Sequence, residues 1–318
     1  MSLEFYLFDV DHGQSAALRL PDGRWCLFDI GRTDSFSPTK FIRQISGRGE
    51  QFRYYKGTVS HWHGDHLDDH DEFLKAGPEF MRTVAVDDEF IRDVQKSSAD
   101  GSFEKICTFR NHYIKNYTIT NTANYGPFVG IQELSLPVGV ARSVSSSSNS
   151  AVNNASVVSR ISYYGHSILI CGDMEAEGWD FALNHSSEMA LWRQLVANVS
   201  VMVAPHHGHA TAFSTDLMRL ANPGVVIVSV RSGDDHVDSR YSAIQGITIG
   251  NEEYKMISTR QKGTLKIAVN PGQTLLSPAS VFWWFDADGR KAETQRLFES
   301  LYRPTLLTPG ISAFGNKF

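Results

Sequence analysis

Three histidines and an aspartate fall within the short segment 61–66 of the chain. The segment follows an apolar run, so these side chains are expected to project from the end of a strand. His61 and His63 lie two residues apart and point the same way from extended backbone, whereas Asp65 and His66 follow the turn at Gly64. Imidazole nitrogen and carboxylate oxygen are ligands suited to Zn²⁺, Mn²⁺ or Fe. The spacing therefore predicts a metal site in which the first pair of residues faces one ion and the second pair can face another.

The His-x-His-x-Asp-His pattern of this segment resembles the signature motif of the metallo-β-lactamase superfamily. Two later segments occur in the order that the resemblance requires. The apolar run 168–171 is followed by Gly172 and Asp173, and Asp173 matches the aspartate that bridges two metals in the superfamily. The run 201–204 is followed by His206 and His207, which match the late metal-binding histidine. The resemblance implies the fold of the superfamily, a four-layer αββα sandwich of the α/β class.

The chain resembles one branch of the superfamily in particular, the soluble hydrolase domain of ComEC-type DNA-uptake channels and its stand-alone relatives. The segments that carry this likeness are Phe8 to Ser15, Leu27 to Gly31, Asn153 to Val158, Pro205 to Gly208 and Gly263 to Ile267. The likeness covers residues 3–270 and implies action on nucleic acid or on another phosphodiester.

The resemblance also implies a dinuclear centre that holds two divalent metal ions, Zn²⁺ or Mn²⁺. The residues that it assigns to the metals are His61, His63, Asp65, His66, Asp173 and His206. The catalytic residues that it predicts are Asp65, Asp173 and His207. Neighbouring side chains diverge, so one of His206 and His207 is expected to bind the second ion while the other contacts substrate phosphate or transfers a proton. The sequence leaves open which of them does which. Water between two divalent ions has a lowered pKa, so the predicted nucleophile is a metal-bound hydroxide.

The chain departs from the superfamily between the signature motif and Asp173. Many superfamily hydrolases supply another histidine to the first metal in this region, whereas this chain has Asn154 and Ser156. We predict that these two residues lie at the rim of the metal centre and contact substrate. Two further candidates for substrate binding are His236, in a polar loop, and Lys262, with an ordinary surface position as the alternative for both.

The composition of the 318-residue chain fits a globular enzyme, with 42% hydrophobic and 11% aromatic residues. Its apolar runs are of strand length and far shorter than a membrane span, so no membrane association is expected. No basic and apolar leader precedes the first strand, and the cytoplasm is the default location. The three cysteines are widely spaced, which favours reduced buried thiols over a disulfide framework. The net charge of −5 argues against nonspecific coating of nucleic acid, although two divalent ions would add positive charge where a phosphodiester binds.

The pattern of apolar residues indicates two βα halves within a single domain of residues 1–318. The predicted strands are 3–8, 16–20, 25–30, 57–60, 157–163, 167–171, 201–204, 225–230 and 265–269. A helix predicted at 67–75 would direct its N-terminus to the site, and Asp68 or Asp69 would either orient a ligand histidine or complement the helix dipole. Residues 77–150 are predicted to form an insertion that ends in a Ser/Asn tract at 143–154, either a flexible linker or a loop at the rim of the site.

Three functional classes compete. The first, a dinuclear phosphodiesterase or nuclease, is favoured by the ComEC-type resemblance. The second is hydrolysis of a small ester, lactone or amide at the same centre, and the third is a metal-binding subunit without catalytic activity. The expected partner is a phosphodiester substrate, with nucleic acid included, and residues 77–150 are a candidate surface for a protein partner. Diiron redox members of the superfamily carry glutamate at the position of His63, so the histidine disfavours oxygen chemistry.

Overall fold

The computed structural model describes residues 2–84, 86–98, 101–116, 124–231, 236–249, 252–271 and 281–283. The strands in these residues are β1 (Leu3–Leu7), β2 (Ser15–Arg19), β3 (Trp25–Ile30), β4 (Lys56–Thr58), β5 (Phe80–Arg82), β6 (Val129–Leu134), β7 (Val158–Tyr163), β8 (His166–Ile170), β9 (Val201–Val203), β10 (Val225–Val228), β11 (Ile247–Ile249), β12 (Glu252–Tyr254), β13 (Met256–Ser258), β14 (Leu265–Val269) and β15 (Val281–Trp283). The helices are α1 (Pro38–Ile45), α2 (His70–Leu74), α3 (Asp88–Ser97), α4 (Ser102–Asn116), α5 (Val138–Val144), α6 (Ser148–Asn154), α7 (Ala176–Asp180), α8 (Met189–Val196), α9 (Thr215–Ala221) and α10 (Thr259–Lys262).

Within the described residues the strands form two large sheets and the short hairpin β11–β12. The first sheet has the order β15-β14-β1-β2-β3-β4-β5, and the second has the order β13-β10-β9-β8-β7-β6. In the first sheet β3, β4 and β5 run parallel, and in the second sheet β13, β10, β9 and β8 run parallel. The other neighbours pair antiparallel.

The strands are buried on both faces, as β1 illustrates. Leu3, Phe5 and Leu7 belong to a core that lies between the two sheets, because its other members come from both of them. Tyr6 points the opposite way and belongs to a second core together with Trp25. That second core includes apolar side chains of α1, α8 and α9, such as Phe41, Ile42, Trp192 and Leu217. Two sheets face to face with helices on their outer faces form the four-layer αββα sandwich that the sequence predicted.

Residues 77–150 are built into this sandwich. They supply β5 and β6, which are edge strands of the first and the second sheet. They also supply α3 and α4, and α3 packs against α6. Part of the segment, residues 117–123, lies outside the described residues. The predicted insertion therefore contributes strands to both sheets as well as surface helices.

The Ser/Asn tract forms α6 and is not a flexible linker. The side chain of Ser147 accepts a hydrogen bond from the amide of Ser150 at 3.1 Å and so caps the N-terminus of the helix. Ala151 and Val152 are buried within the fold. Because a capped helix with buried apolar residues occupies this stretch, the prediction of a linker or a rim loop is wrong for residues 148–154.

An ion pair between β4 and β6 links the two sheets. Lys56 of β4 pairs with Glu133 of β6, and their side chains are only 7% and 11% exposed. The same carboxylate accepts hydrogen bonds from the hydroxyl groups of Thr58 at 2.7 Å and Ser159 at 3.2 Å. Loss of the ammonium group would leave a carboxylate with little access to water, which is among the costly changes in a protein interior.

Lys56→Met is therefore expected to lower the free energy of unfolding by about 3–5 kcal/mol, as measured by urea denaturation. The double variant Lys56→Met/Glu133→Leu should recover most of that loss, because it removes the unpaired charge. Lys75→Met serves as the control, since Lys75 forms its pair with Glu72 at the surface, where the side chain is 57% exposed, and should cost less than about 1 kcal/mol. If Lys56→Met and Lys75→Met lowered the free energy of unfolding by the same small amount, the assignment of Lys56 and Glu133 as a stabilising buried ion pair would be contradicted.

None of the helices in the described part of the chain combines the length and the apolar character needed to cross a bilayer.

Candidate metal centre

The predicted metal ligands come from loops that follow the ends of parallel strands. Neighbouring strands β8 and β9 pair in register, with Ile170 beside Val203, so the loops after them leave the second sheet at the same edge. The amide of His206 donates to the carbonyl oxygen of Gly172 at 3.0 Å and joins these two loops. The amide of Val157 donates to the carbonyl oxygen of the residue before the signature motif at 2.8 Å, which joins the two sheets at the site.

A first group of ligand atoms gathers around His61. Its Nε2 lies 3.0 Å from Nδ1 of His63 and 3.8 Å from Oδ2 of Asp173. The His61 ring is fully buried, and Nε2 of His63 is a buried atom that has no hydrogen-bond partner among the described residues. Two imidazoles and a carboxylate with an unsatisfied buried nitrogen fit the requirements of a divalent cation.

A second group is formed by Asp65, His66 and His207, whose ligand atoms all lie within 4.8 Å of one another. Nε2 of His66 lies 3.7 Å from Oδ2 of Asp65 and 3.4 Å from Nε2 of His207. Nε2 of His207 lies 3.5 Å from the same Asp65 oxygen. This donor set of two imidazoles and a carboxylate also suits a divalent cation.

Asp173 lies between the two groups. Its Oδ1 is 3.4 Å from Nε2 of His66, and its Oδ2 is 3.6 Å from Nε2 of His207 and 3.8 Å from Nε2 of His61. One carboxylate that contacts imidazoles of both groups has the position of a bridge between two cations.

Burial sets the protonation of the first group. It lowers the pKa of His61 well below its usual range, and it lowers the pKa of His63 in the same direction. Both rings are therefore neutral near pH 7, which is the form of imidazole that binds a metal ion.

In the second group, nearby carboxylates determine the pKa values of the histidines. Burial would lower the pKa of His66, but the carboxylates of Asp173, Asp29 and Asp65 together raise that pKa well above its usual range. Burial opposes protonation of His207 as well, yet the Asp173 charge and a hydrogen bond with Asp65 raise its pKa. Metal ions require these rings to be deprotonated, so a cation at this group would take the place of bound protons.

A buried carboxylate, Asp29, holds the histidines in place. One of its oxygens, Oδ2, lies 3.0 Å from Nδ1 of His66 and accepts hydrogen bonds at 2.9 Å from Gln14 and from the Ser60 hydroxyl. Its other oxygen accepts the Ser60 amide at 2.7 Å. The Ser60 hydroxyl also lies 2.9 Å from Nδ1 of His61. Carboxylates that receive the second ring N–H of a ligand histidine orient the ring and fix its tautomer.

The backbone of β3 turns Asp29 towards the site through a β-bulge. Ser15 pairs with Ile30 while Ala16 pairs with Phe28, so Asp29 is the extra residue of the bulge, and its φ is 56°. A bulge re-aims a side chain out of the regular alternation of a strand. The sequence analysis missed this role, although a single carboxylate within an otherwise apolar strand was a visible signal.

The two adjacent histidines take different positions. Nδ1 of His207 lies 3.0 Å from the carbonyl oxygen of Ser229, to which the ring N–H donates, and Nε2 is left free for the second group. Nε2 of His206 lies 3.9 Å from Oδ2 of Asp173, and His206 is not part of the cluster of Asp65, His66 and His207. The geometry therefore favours His207 over His206 as the ligand of the second group.

Asn154 and Ser156 lie beneath the centre and are fully buried. The Ser156 hydroxyl accepts the amide of Asp173 at 2.9 Å, and Oδ1 of Asn154 accepts the amide of Glu175 at 2.8 Å. Gly172 has a φ of 58°, and a Cβ there would come within 2.8 Å of the Ser156 hydroxyl. Their burial assigns both residues to positioning the Asp173 loop and not to contact with substrate.

The other two substrate-binding candidates lie apart from one another. His236 is exposed, and its ring centroid is 5.8 Å from that of His209, which in turn is 5.4 Å from that of His206. Lys262 lies on α10 with Nζ 5.7 Å from the ring centroid of Tyr254. His236 thus continues a row of imidazoles that starts at the metal centre, whereas Lys262 lies over an aromatic ring.

The carboxylates of the metal loop serve other elements. Asp69 is fully buried and accepts the Ser37 hydroxyl at 2.7 Å and the Thr39 amide at 3.0 Å, which anchors the start of α1. Asp68 lies 3.4 Å from Nζ of Lys105 on α4. The carboxylate that orients a ligand histidine comes from β3 instead.

His12 lies at the site, although it was not among the site residues predicted from the sequence. Its side chain is 59% exposed, and Nε2 lies 3.8 Å from Oδ2 of Asp65. Its ring centroid is 5.5 Å from that of His207. His12 therefore lies at the open mouth of the second group.

No protein-family model and no curated protein sequence matches the chain. Several solved structures are similar to it. The metallo-β-lactamase fold protein YhfI from Bacillus subtilis is 10% identical, the match covers 85% of this chain and 100% of that protein, and the TM-score is 0.44. A diphosphatase of the PhnP family is 9% identical over 80% of this chain and 94% of its own, with a TM-score of 0.40. A long-form RNase Z from yeast is 12% identical over 74% of this chain and 40% of its own, with a TM-score of 0.34.

These distant likenesses concern the overall fold alone. The αββα arrangement is established by the strand order and by the two cores described above. The chain has the four-layer sandwich that its signature motif predicted.

Proposed function

We propose that the protein is a metal-dependent hydrolase of phosphodiester bonds with a dinuclear centre. The observation that carries this proposal is the position of Asp173, whose two carboxylate oxygens lie within 3.8 Å of imidazoles of both ligand groups. His61 and His63 would hold the first ion, and Asp65, His66 and His207 would hold the second. Two bound divalent ions, Zn²⁺ or Mn²⁺, would lower the pKa of water and polarise the bond to be cleaved.

The residues of the chain supply positioning and access. Asp29 keeps His66 in the orientation in which Nε2 points to the centre. His12 lies beside Asp65 at the open side and is placed to hydrogen-bond an oxygen of the substrate or of the leaving group. The exposed ring of His236 extends the same rim outwards through His209. Asp65 and Asp173, which the sequence named as catalytic, act in this scheme as ligands, and His207 joins them.

A phosphodiester is the preferred substrate for two reasons. Segments outside the signature motif, such as Phe8 to Ser15 and Pro205 to Gly208, resemble the ComEC-type branch, and that resemblance implies action on nucleic acid or other phosphodiesters. Two divalent ions would add positive charge at the place where an anion binds, which would offset the net charge of −5 locally. Nucleic acid is the substrate within this class that the resemblance favours.

Location and further partners complete the proposal. Cys26 and Cys171 are buried free thiols, and burial raises the pKa of the Cys26 thiol to about 12, which keeps it unreactive. Unpaired buried cysteines support a reducing compartment, and we propose the cytoplasm. The exposed parts of residues 77–150 are the surface that we propose for a protein partner.

A panel of substrates tests the reaction class. Purified protein loaded with Mn²⁺ or Zn²⁺ is incubated with linear DNA, RNA, bis-p-nitrophenyl phosphate and nitrocefin. We expect release of p-nitrophenol and cleavage of at least one nucleic acid, with no opening of the lactam ring of nitrocefin. Turnover of nitrocefin alone would favour the small ester, lactone or amide class. Metal binding without turnover of any of the four would favour a non-catalytic subunit.

A further inference from the structure

The two ligand groups are unequal in the protein residues that they offer. The second group combines Asp65, His66 and His207 with the shared Asp173 carboxylate. The first group combines only two imidazoles with the same carboxylate. A cation at the first group would therefore have one protein ligand fewer than a cation at the second group. A further donor atom close to Oδ2 of Asp173 would make the two groups equal.

His206 places a ring nitrogen at that oxygen. Its Nε2 lies 3.9 Å from Oδ2 of Asp173, nearly the same distance as Nε2 of His61 at 3.8 Å. Two atoms that bind one Zn²⁺ at about 2.0–2.2 Å each lie at most about 4.4 Å apart. The separation of His206 from Asp173 is therefore short enough for both to bind a common ion.

The backbone explains how neighbouring histidines can serve different ions. His206 and His207 have φ values of 49° and 52°, both in the left-handed region that non-glycine residues seldom adopt. Their ring centroids are 6.3 Å apart and their planes are inclined by 62°. Two successive left-handed residues thus separate the two rings while both Nε2 atoms stay within 3.9 Å of Oδ2 of Asp173, and strained conformations of this kind are concentrated at functional sites.

A buried carboxylate lies beside the other ring nitrogen of His206. Nδ1 of His206 lies 3.5 Å from Oε1 of Glu175 and 3.4 Å from the hydroxyl oxygen of Thr211, and Glu175 is only 5% exposed. The Glu175 carboxylate is itself fixed by hydrogen bonds from the Ser150 hydroxyl at 2.6 Å and from the Asn153 amide group at 2.9 Å. Both of these donors belong to α6.

We propose that Nε2 of His206 is the third imidazole ligand of the first ion, and that Glu175 is the positioning residue that directs it there. The segment in which the sequence shows asparagine in place of another histidine would thus act indirectly, because α6 holds Glu175 and Glu175 orients His206. This assignment rests on the dinuclear centre of the proposed function and adds a ligand to it.

Metal binding tests the assignment without reliance on activity. The metal-free protein is titrated with Zn²⁺ in a calorimeter, and the metal retained after gel filtration is measured by elemental analysis. Wild-type protein should bind two ions per chain. His206→Ala should weaken one of the two by at least about 100-fold and leave the other unchanged, and Glu175→Gln should weaken the same ion by about 10–100-fold. His185→Ala is the control, because that ring is 62% exposed and pairs with Asp180, outside the two ligand groups.

The outcomes separate this assignment from the proposed function. Two ions with unchanged affinities in both His206→Ala and Glu175→Gln would overturn the assignment and leave the hydrolase proposal intact. Wild-type protein that binds no ion, or only one, would overturn the assignment together with the dinuclear centre. His206→Gln preserves the size of the side chain and repeats the test if circular dichroism shows that His206→Ala does not fold.

Discussion

Asp173→Ala is expected to abolish hydrolysis and to reduce the bound metal from two ions to one or none. Its carboxylate lies within 3.8 Å of His61, His66 and His207 at once, so its removal takes a ligand from both ions. Loss of one shared ligand should therefore damage both sites, whereas loss of an unshared ligand should damage mainly one. Elemental analysis of the purified variant and hydrolysis of bis-p-nitrophenyl phosphate are the measurements.

His63→Ala is the companion change, because Nδ1 of His63 lies 3.0 Å from Nε2 of His61 in the first group. We expect it to remove activity but to retain one ion at the second group. Asp216→Ala is the control, since Asp216 lies on α9 and pairs with Arg219 at 3.0 Å. Full turnover and full metal content in both Asp173→Ala and His63→Ala would rule out the proposed centre.

The parts of the site that the sequence predicted are those with local causes. His61 and His63 follow a strand end and share one direction from extended backbone, which requires no knowledge of distant residues. Asp173 and the paired histidines follow apolar runs in the same way, and parallel strands bring their ends to one edge. The apolar runs likewise predicted most of the buried strands, whereas the four-layer sandwich was expected from the resemblance of the signature motif to the superfamily.

The parts that the sequence did not predict depend on tertiary contacts. β5 has three residues, too few to show an alternation, and its pairing is decided by the strand beside it. A tract of serine and asparagine has weak helix propensity, yet α6 forms because Val152 and its neighbours are buried against α3.

The adjacent histidines show the same limit within the site. From the sequence alone we can predict that the side chains of neighbouring residues diverge. The groups that each of the two rings contacts cannot be predicted in this way. The positive φ values of His206 and His207, together with Ser229 on one side and Glu175 on the other, give each ring its direction. These partners come from different loops, so their roles are visible only in the folded chain.

Asp29→Asn is expected to lower both metal affinity and turnover by about 10–100-fold while the fold is kept. Asparagine tolerates the left-handed φ of 56° that this bulge position requires, and it has nearly the same shape as aspartate. The amide, however, places an N–H group where Oδ2 now receives Gln14, the Ser60 hydroxyl and Nδ1 of His66, or else where Oδ1 receives the Ser60 amide.

Either orientation of the amide harms the centre. When the amide N–H group takes the place of Oδ2, His66 can form a hydrogen bond with it only if Nδ1 accepts. The proton of the His66 ring then moves to Nε2, the nitrogen that must bind the metal. When the amide N–H group takes the place of Oδ1, the Ser60 amide loses its hydrogen-bond acceptor, which lowers the free energy of unfolding by about 1–3 kcal/mol. Zn²⁺ titration and urea denaturation of the metal-free variant separate the two effects, with exposed Asp34→Asn as the control. If Asp29→Asn bound both ions as tightly as the wild type, Asp29 would be a structural residue of β3 with no part in orienting His66.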